Sequence, residues 1–420
     1  MAGLGRPRGR ASLAGSSLQR SLSADEATQK FTSVRSSASA AVGPRCRPVG
    51  EPDGIPAQPA FVRGLRSIGT AGPGTLVRCR CETARGEQCP QAVCGDGWER
   101  MKTFCADVLY RPPVDELRFL PEGPHVCAPT RISWVAIQHG PDVPQGSINI
   151  LSVDSGENES WDLDGRPGFA YPTDADDTFV IGLERHLVLA DLRREDIREI
   201  SPEVDADVDG TIINDGIVFE HGIVFGTKDL EFKEPKASLY FWRQKDGRLF
   251  RLLDGQTCSN GKVVLPHPDG SSKRRLLLDI DTPTRTVAAY DFDLDPPALS
   301  NRRVVLDLRD RDDYPDGMVL APDGESVIIA FYNPGDPQYG QACQFRLSDG
   351  AMLTMWQTPL SPRVTCPLLM RVADKPKIIL TTAVEHMSDA QRERHRNAGC
   401  LFTADTPFSD VTPSAVLRLA

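Results

Sequence analysis

The chain has 420 residues, a net charge of −10, and 40% apolar and 25% charged residues. That balance is ordinary for a soluble globular protein, and its apolar runs, such as "SVIIAFY" at 326–332, are far too short to span a bilayer. The acidity argues against nucleic acid or a membrane as partner, and the length fits one large domain or about three of ~150 residues.

The charge is uneven. Residues 1–50 carry eight Lys/Arg against two acids, or +6, which leaves −16 for the remainder. Residues 1–45 are rich in Ser, Ala, Arg and Gly and have no acid before Asp25. They lack the apolar core of a secretory signal, so secretion is not expected. The composition reads as a disordered tail, with an organellar transit peptide as the alternative. The expected location is therefore cytoplasmic, with organellar import as the alternative.

Residues 46–100 form a Cys/Gly/Pro-rich linker. Its cysteines, continued by Cys105, are spaced C-x-C-x7-C-x4-C-x10-C from Cys79 through Cys81, Cys89 and Cys94. Structural zinc usually shows two short pairs, so free thiols are expected here and a zinc knuckle is the alternative. The six remaining cysteines read as small buried apolar residues.

From 101 to 420 the texture changes. Short β-branched runs alternate with Gly, Asp, Asn and Pro clusters, which points to an all-β fold. The exception is "MSDAQRERHRNAG" (387–399), which predicts a short surface helix. One plan recurs: a polar residue, a glycine, about four apolar positions, then a turn. It is clearest in "YPDGMVLAPDG" (314–324), "SNGKVVLPHPDG" (259–270) and "INDGIVFEHG" (213–222). Weaker copies are "GRPGFAYPTDAD", "LPEGPHVCAPT" and "RVTCPLLMRVADKP". Taking Glu122, Gly168, Gly216, Gly261, Gly317 and Cys366 as markers, the spacing runs from 45 to 56 residues. That period predicts a six-bladed β-propeller over 101–420, one four-stranded blade per repeat.

In a propeller the first strand of each blade lines the central channel, so the polar residues at the strand starts ring one mouth. These are Glu122, Asn214, Asn260 and Asp316. Two carboxylates and two amides make a hard-oxygen set suited to Ca²⁺, Mg²⁺ or Mn²⁺. Read singly, Asn-Gly and Pro-Asp-Gly are common turn formers with no ligand role. Seven scattered histidines and the absence of G-x-S-x-G or H-E-x-x-H leave no rival nucleophile or zinc motif. His221 and His267 fall in expected hairpin turns and read as solvated.

From about Phe104 to Phe402 the chain resembles the gluconolactonase/regucalcin (senescence marker protein, LRE-like) family of six-bladed propellers. The resemblance rests on "LPEGP", "INDGIVFEHGIVFGTKD", "CSNGKVVLPHPDG", "LLLDIDTPTRTVAAYDFDLDPPALSNRRVV" and "YPDGMVLAPDG", in that order. It implies Glu122, Asn260 and Asp316 as metal ligands, and Asp316 also as general base. It implies Asn214 and Glu231 as substrate-contacting residues, with Asn214 alternatively supporting the ligands. The expected activity is lactone opening with a divalent ion, Ca²⁺ first, then Zn²⁺, Mn²⁺ or Mg²⁺, by a monomer acting on a small molecule. The alternatives are a hydrolase of a less polar lactone, ester or phosphotriester, and a non-catalytic calcium-binding propeller. Departures from the family pattern fall at Ile212, where many members carry arginine, at Phe219 and Ile223, and at "PLLM" after Cys366.

Overall fold

A computed structural model describes residues 33–36, 101–412 and 415–419. The expected zinc or thiol cluster therefore lies outside the described residues, apart from Cys105, which is exposed. Six sheets built of antiparallel hairpins follow one another, and the expected six-bladed propeller is the fold.

The blades begin with inner strands Pro121–Ala128, Pro167–Pro172, Thr211–Phe219, Ser259–Pro266, Tyr314–Leu320 and Val364–Val372. Each meanders outward through hairpins, the "PDG" at 322–324 closing one of them, as Pro and Gly at a two-strand turn require. The last blade has only three strands from the C-terminal side. Its outermost strand is Asp107–Tyr110, which pairs antiparallel with Leu401–Asp405 and so closes the ring with the front of the domain. Lys102–Cys105 adds in parallel to the outside of blade five, and Ser33–Ser36 adds antiparallel to the outside of blade one. The expected helix is Asp389–Arg394, with Ser388 and Gln391 making a reciprocal capping box.

The apolar residues of the inner three strands face the neighbouring blades, and the core divides into six clusters, one per seam. Val135, Ile148, Ala170 and Ile181 join blades one and two; Phe169, Val180, Ile213 and Phe225 join two and three. Phe219, Phe241 and Phe292 join three and four; Leu278, Ile280, Val327 and Ile329 join four and five. Ala330, Trp356, Leu369 and Phe402 join five and six, and Trp134, Leu151, Leu368 and Leu401 close six onto one. Each large buried side chain contributes roughly 1.5–3 kcal/mol. Among the described residues no helix is long and apolar enough to cross a membrane.

Candidate functional site: an acidic ring at one channel mouth

Every inner strand carries a register shift within its first few residues. The shifts fall at Glu122/His125, Pro167/Phe169, Ile213/Gly216, Asn260/Lys262, Pro315/Met318 and Val364/Pro367. A bulge re-aims the side chains beside it, and six in one layer gather them at one mouth. The glycines of the repeat make this layer possible. A Cβ on Gly168 would lie 2.2 Å from the Asn214 carbonyl oxygen, and one on Gly261 would lie 2.5 Å from Met318 Cβ and 2.7 Å from the Asp316 carbonyl oxygen. The inner strands approach too closely for any side chain there.

The structure brings Glu122, Asn214, Asn260 and Asp316 together. Asn214 Nδ2 donates to Asn260 Oδ1 (2.7 Å) and to the Ser259 carbonyl (3.0 Å). Asn260 Nδ2 donates to Thr282 Oγ1 (2.8 Å), which itself donates to the Pro315 carbonyl (2.9 Å). These bonds tie three blades into one network and hold the Asn260 oxygen against Asn214. Lys262 Nζ donates to the Asn260 carbonyl (2.9 Å) and pairs with Asp279 (3.6 Å), with both side chains fully buried. Glu122 Oε2 accepts from the Gly123 amide (2.9 Å) and Asp215 Oδ1 from the Gly216 amide (2.7 Å). Asp316 accepts no hydrogen bond from the described residues.

Burial is the first cause that raises the Glu122 carboxyl above the usual range, followed by the charge of Asp215. Burial likewise pushes Asp316 well up, followed by the charges of Glu122 and Asp215. Asp215 is also raised by burial, with Lys262 opposing. Three carboxylates at one mouth with this mutual repulsion form an environment that favours a cation. Deeper in the channel, His125 stacks on Tyr171 (ring centroids 3.6 Å apart), and burial lowers its pKa to about 3. The imidazole is thus neutral.

The donor set fits a hard divalent cation: carboxylate oxygens of Glu122 and Asp316 and the Asn260 amide oxygen, with its amide nitrogen committed elsewhere. Among the described residues no three His, Cys, Asp or Glu side chains are grouped to hold a metal alone, so any such site depends on asparagine oxygen.

Glu231 is placed differently. It stands on the rim loop after Gly222–Asp229, its side chain 69% exposed and paired with Lys233 at 2.9 Å. Phe219 belongs to the seam between blades three and four, so it forms no wall of the mouth. His267 is paired with Asp269 (2.7 Å) and Asp291 (3.4 Å), a correction to the solvated turn expected from its Pro-Asp-Gly context. Sequence reasoning missed Asp215, Lys228, Lys262 and Thr282. Asp215 follows Asn214 directly, and in a regular strand it would face the other way; only the bulge brings it inward. A cavity of about 400 Å³ opens at the far end of the inner strands, by Val126, Leu369 and Met370; Asp154, Arg371 and Asp374 also line it, and none of the ring residues does.

Residues 120–384 match the model of the SMP-30/Gluconolactonase/LRE-like region. YvrE of Bacillus subtilis, a candidate sugar lactone lactonase by name, is 28% identical over 45% of this chain and 59% of its own length. Regucalcin of Danio rerio is 34% identical over 32% of this chain and 45% of its own. The chain thus spans about half the length of the curated relatives it matches. Among solved structures, a calcium-binding regucalcin from Agrobacterium tumefaciens superposes with TM-score 0.61 at 19% identity, covering 76% of this chain and 99% of that one. A luciferin-regenerating enzyme superposes at 0.59, covering 71% and 95%. The matched region takes in the inner strand of every blade and all four ring residues, and the chain belongs to the SMP-30/gluconolactonase/LRE-like family.

Proposed function

We propose that the chain is a divalent-metal-dependent hydrolase that opens lactones at the acidic mouth. The observation that carries this reading is the gathering of Glu122, Asn260 and Asp316 from three blades, with Asn260 held by an Asn214–Asn260–Thr282 network that reaches the Pro315 carbonyl beside Asp316. Glu122, Asn260 and Asp316 would hold the ion, Ca²⁺ first among the candidates, with Zn²⁺, Mn²⁺ and Mg²⁺ as alternatives. A divalent cation there supplies Lewis acidity toward a carbonyl, worth several kcal/mol of transition-state stabilisation.

The chain's own residues supply the rest. Asp316, which accepts no hydrogen bond from the described residues, would take a proton from the attacking water. Asn214 positions the Asn260 oxygen and has a place at the mouth from which to touch substrate. Membership of the family, and the resemblance to proteins named as lactonase and regucalcin, support the reading. The alternative reading, a less polar lactone or ester, rests on one feature: Leu230 and Phe232 on the rim are 42% and 44% exposed, and Phe232 packs edge-on against Tyr314.

The test is proton release from glucono-δ-lactone at near-neutral pH, with Ca²⁺, Mn²⁺ or chelator. Turnover that requires metal and vanishes in Asp316→Asn is the expected result. Calcium binding without turnover of any lactone or ester would leave a non-catalytic propeller instead.

A further inference from the structure

Lys228 lies in the same layer as the ring, and its partners are unusual. In the antiparallel ladder it sits directly opposite Ile212, with Ile213 opposite Thr227. Opposed residues of such a pair project from the same face, and Ile212 is two residues before Asn214. On its other flank Lys228 bridges Cys258, whose sulfur lies 3.7 Å from Asn214 Nδ2 and 3.6 Å from Asn260 Nδ2. Lys228 is therefore held between the residue that leads into Asn214 and the residue that leads into Asn260. It is half-buried. No carboxylate among the described residues comes within ion-pair distance of its ammonium. Lys262, the other lysine of this layer, is committed to Asp279 and the Asn260 carbonyl. The charge of Lys228 nonetheless reaches the mouth, where it opposes the upward push on Glu122, Asp316 and Cys258.

We infer that Lys228 is the anchor for an anionic substituent of the substrate, so that the mouth selects acidic lactones, those bearing a carboxylate beside the ring to be opened. The inference rests on the lactonase reading above. Glu122, Asp215, Asp316 and Glu385 act on one another's charge at the mouth, and a divalent cation with Lys228 offsets three of those four charges. The Lys228 ammonium is not engaged by a carboxylate of the described residues, so it is open to an anion. Ile212, facing the same way, offers no donor, so the anion has a single point of attachment. A lone ammonium supplies a point charge rather than a fork, which suits a carboxylate approached from one side.

A structural role for Lys228, damping the repulsion among the three carboxylates, would act on all substrates alike. The test is therefore a ratio. Glucono-1,4-lactone and glucaro-1,4-lactone share a skeleton and differ by one carboxylate. Their hydrolysis would be followed in the calcium-loaded full chain as wild type, Lys228→Met and Lys228→Arg. Wild type is expected to favour the acidic lactone. Lys228→Met is expected to lower that preference about tenfold to hundredfold, the loss of one charge-assisted hydrogen bond, mainly through KM. Lys228→Arg is expected to keep most of it. A preference unchanged in Lys228→Met, whether activity toward both substrates is kept or falls equally, overturns the assignment. If wild type hydrolyses neither lactone, the lactonase reading fails, and calorimetric titration of glucaro-1,4-lactone decides the anchor separately. Binding that weakens tenfold or more in Lys228→Met upholds it; equal or absent binding in both proteins overturns it.

Discussion

Lys262→Met is the substitution whose cost follows most directly from the structure. The ammonium lies 3.6 Å from Asp279, with side chains 0% and 1% exposed, and donates to the Asn260 carbonyl at 2.9 Å. Methionine matches its length and apolar stem, so packing is nearly preserved and the loss is electrostatic. Removing one partner of a buried pair costs about 3–5 kcal/mol, because the other charge is left behind. Here Asp279 keeps only neutral donors, Gln256 and Ser259. Burial already raises the Asp279 carboxyl, and Lys262 is the charge that pulls it back down. Without it the folded-state pKa climbs further above the unfolded value, so the folded variant holds a proton that the unfolded chain has released. Stability of the variant then falls as pH rises through that window, and its deficit against wild type is greatest at high pH. Urea unfolding followed by circular dichroism at pH 5 to 8 reads this out. The expected deficit is about 3–5 kcal/mol at pH 8, shrinking toward pH 5 as Asp279 takes up its proton. Equal midpoints for the two proteins at all pH values, or a deficit that grows on acidification, would refute the reasoning.

Three further perturbations test other parts of the account. Gly261→Ala forces a methyl to within 2.5 Å of Met318 Cβ and should cost about 1–3 kcal/mol while weakening calcium binding, measured by thermal melts and calorimetry. The folded-state pKa values of Glu122 and Asp316 lie above their unfolded values, so the metal-free protein should lose stability as pH rises above the ordinary carboxylate range. The gain in Tm on adding calcium should accordingly be larger at pH 8 than at pH 5.5; a gain independent of pH would show that these carboxylates are not the ligands. A chain beginning at Met101 should fold with the ring closed, whereas one beginning at Arg111 lacks the strand that pairs with Leu401–Asp405 and should melt many degrees lower. Equal Tm values would remove the closing role from Asp107–Tyr110.

The repeat of polar residue, glycine and apolar run made the propeller legible, because each glycine sits where one inner strand touches the next. Glu122, Asn214, Asn260 and Asp316 were legible for the same reason: they occupy one phase of that repeat. Asp215 was not, since strand alternation sends it away from Asn214 and a bulge has no signature of its own in "INDGI". Lys228 and Lys262 were hidden because their position at the mouth comes from cross-strand register. Nothing in the local sequence of "GTKD" or "NGKV" reveals that register. Glu231 was placed by resemblance, and here a loop anchored on Asp229, which accepts from the amides of Glu231, Lys233 and Glu234, holds it out on the rim.

The most direct test of the central claim is reconstitution of the chelator-treated protein with measured equivalents of calcium, with lactone hydrolysis followed at each addition. Activity should rise linearly and break at one equivalent per chain, and Asp316→Asn should show none at any calcium level. Turnover that persists in the chelated protein, or that survives in Asp316→Asn, would contradict a metal-assisted reaction at the Glu122–Asn260–Asp316 ring.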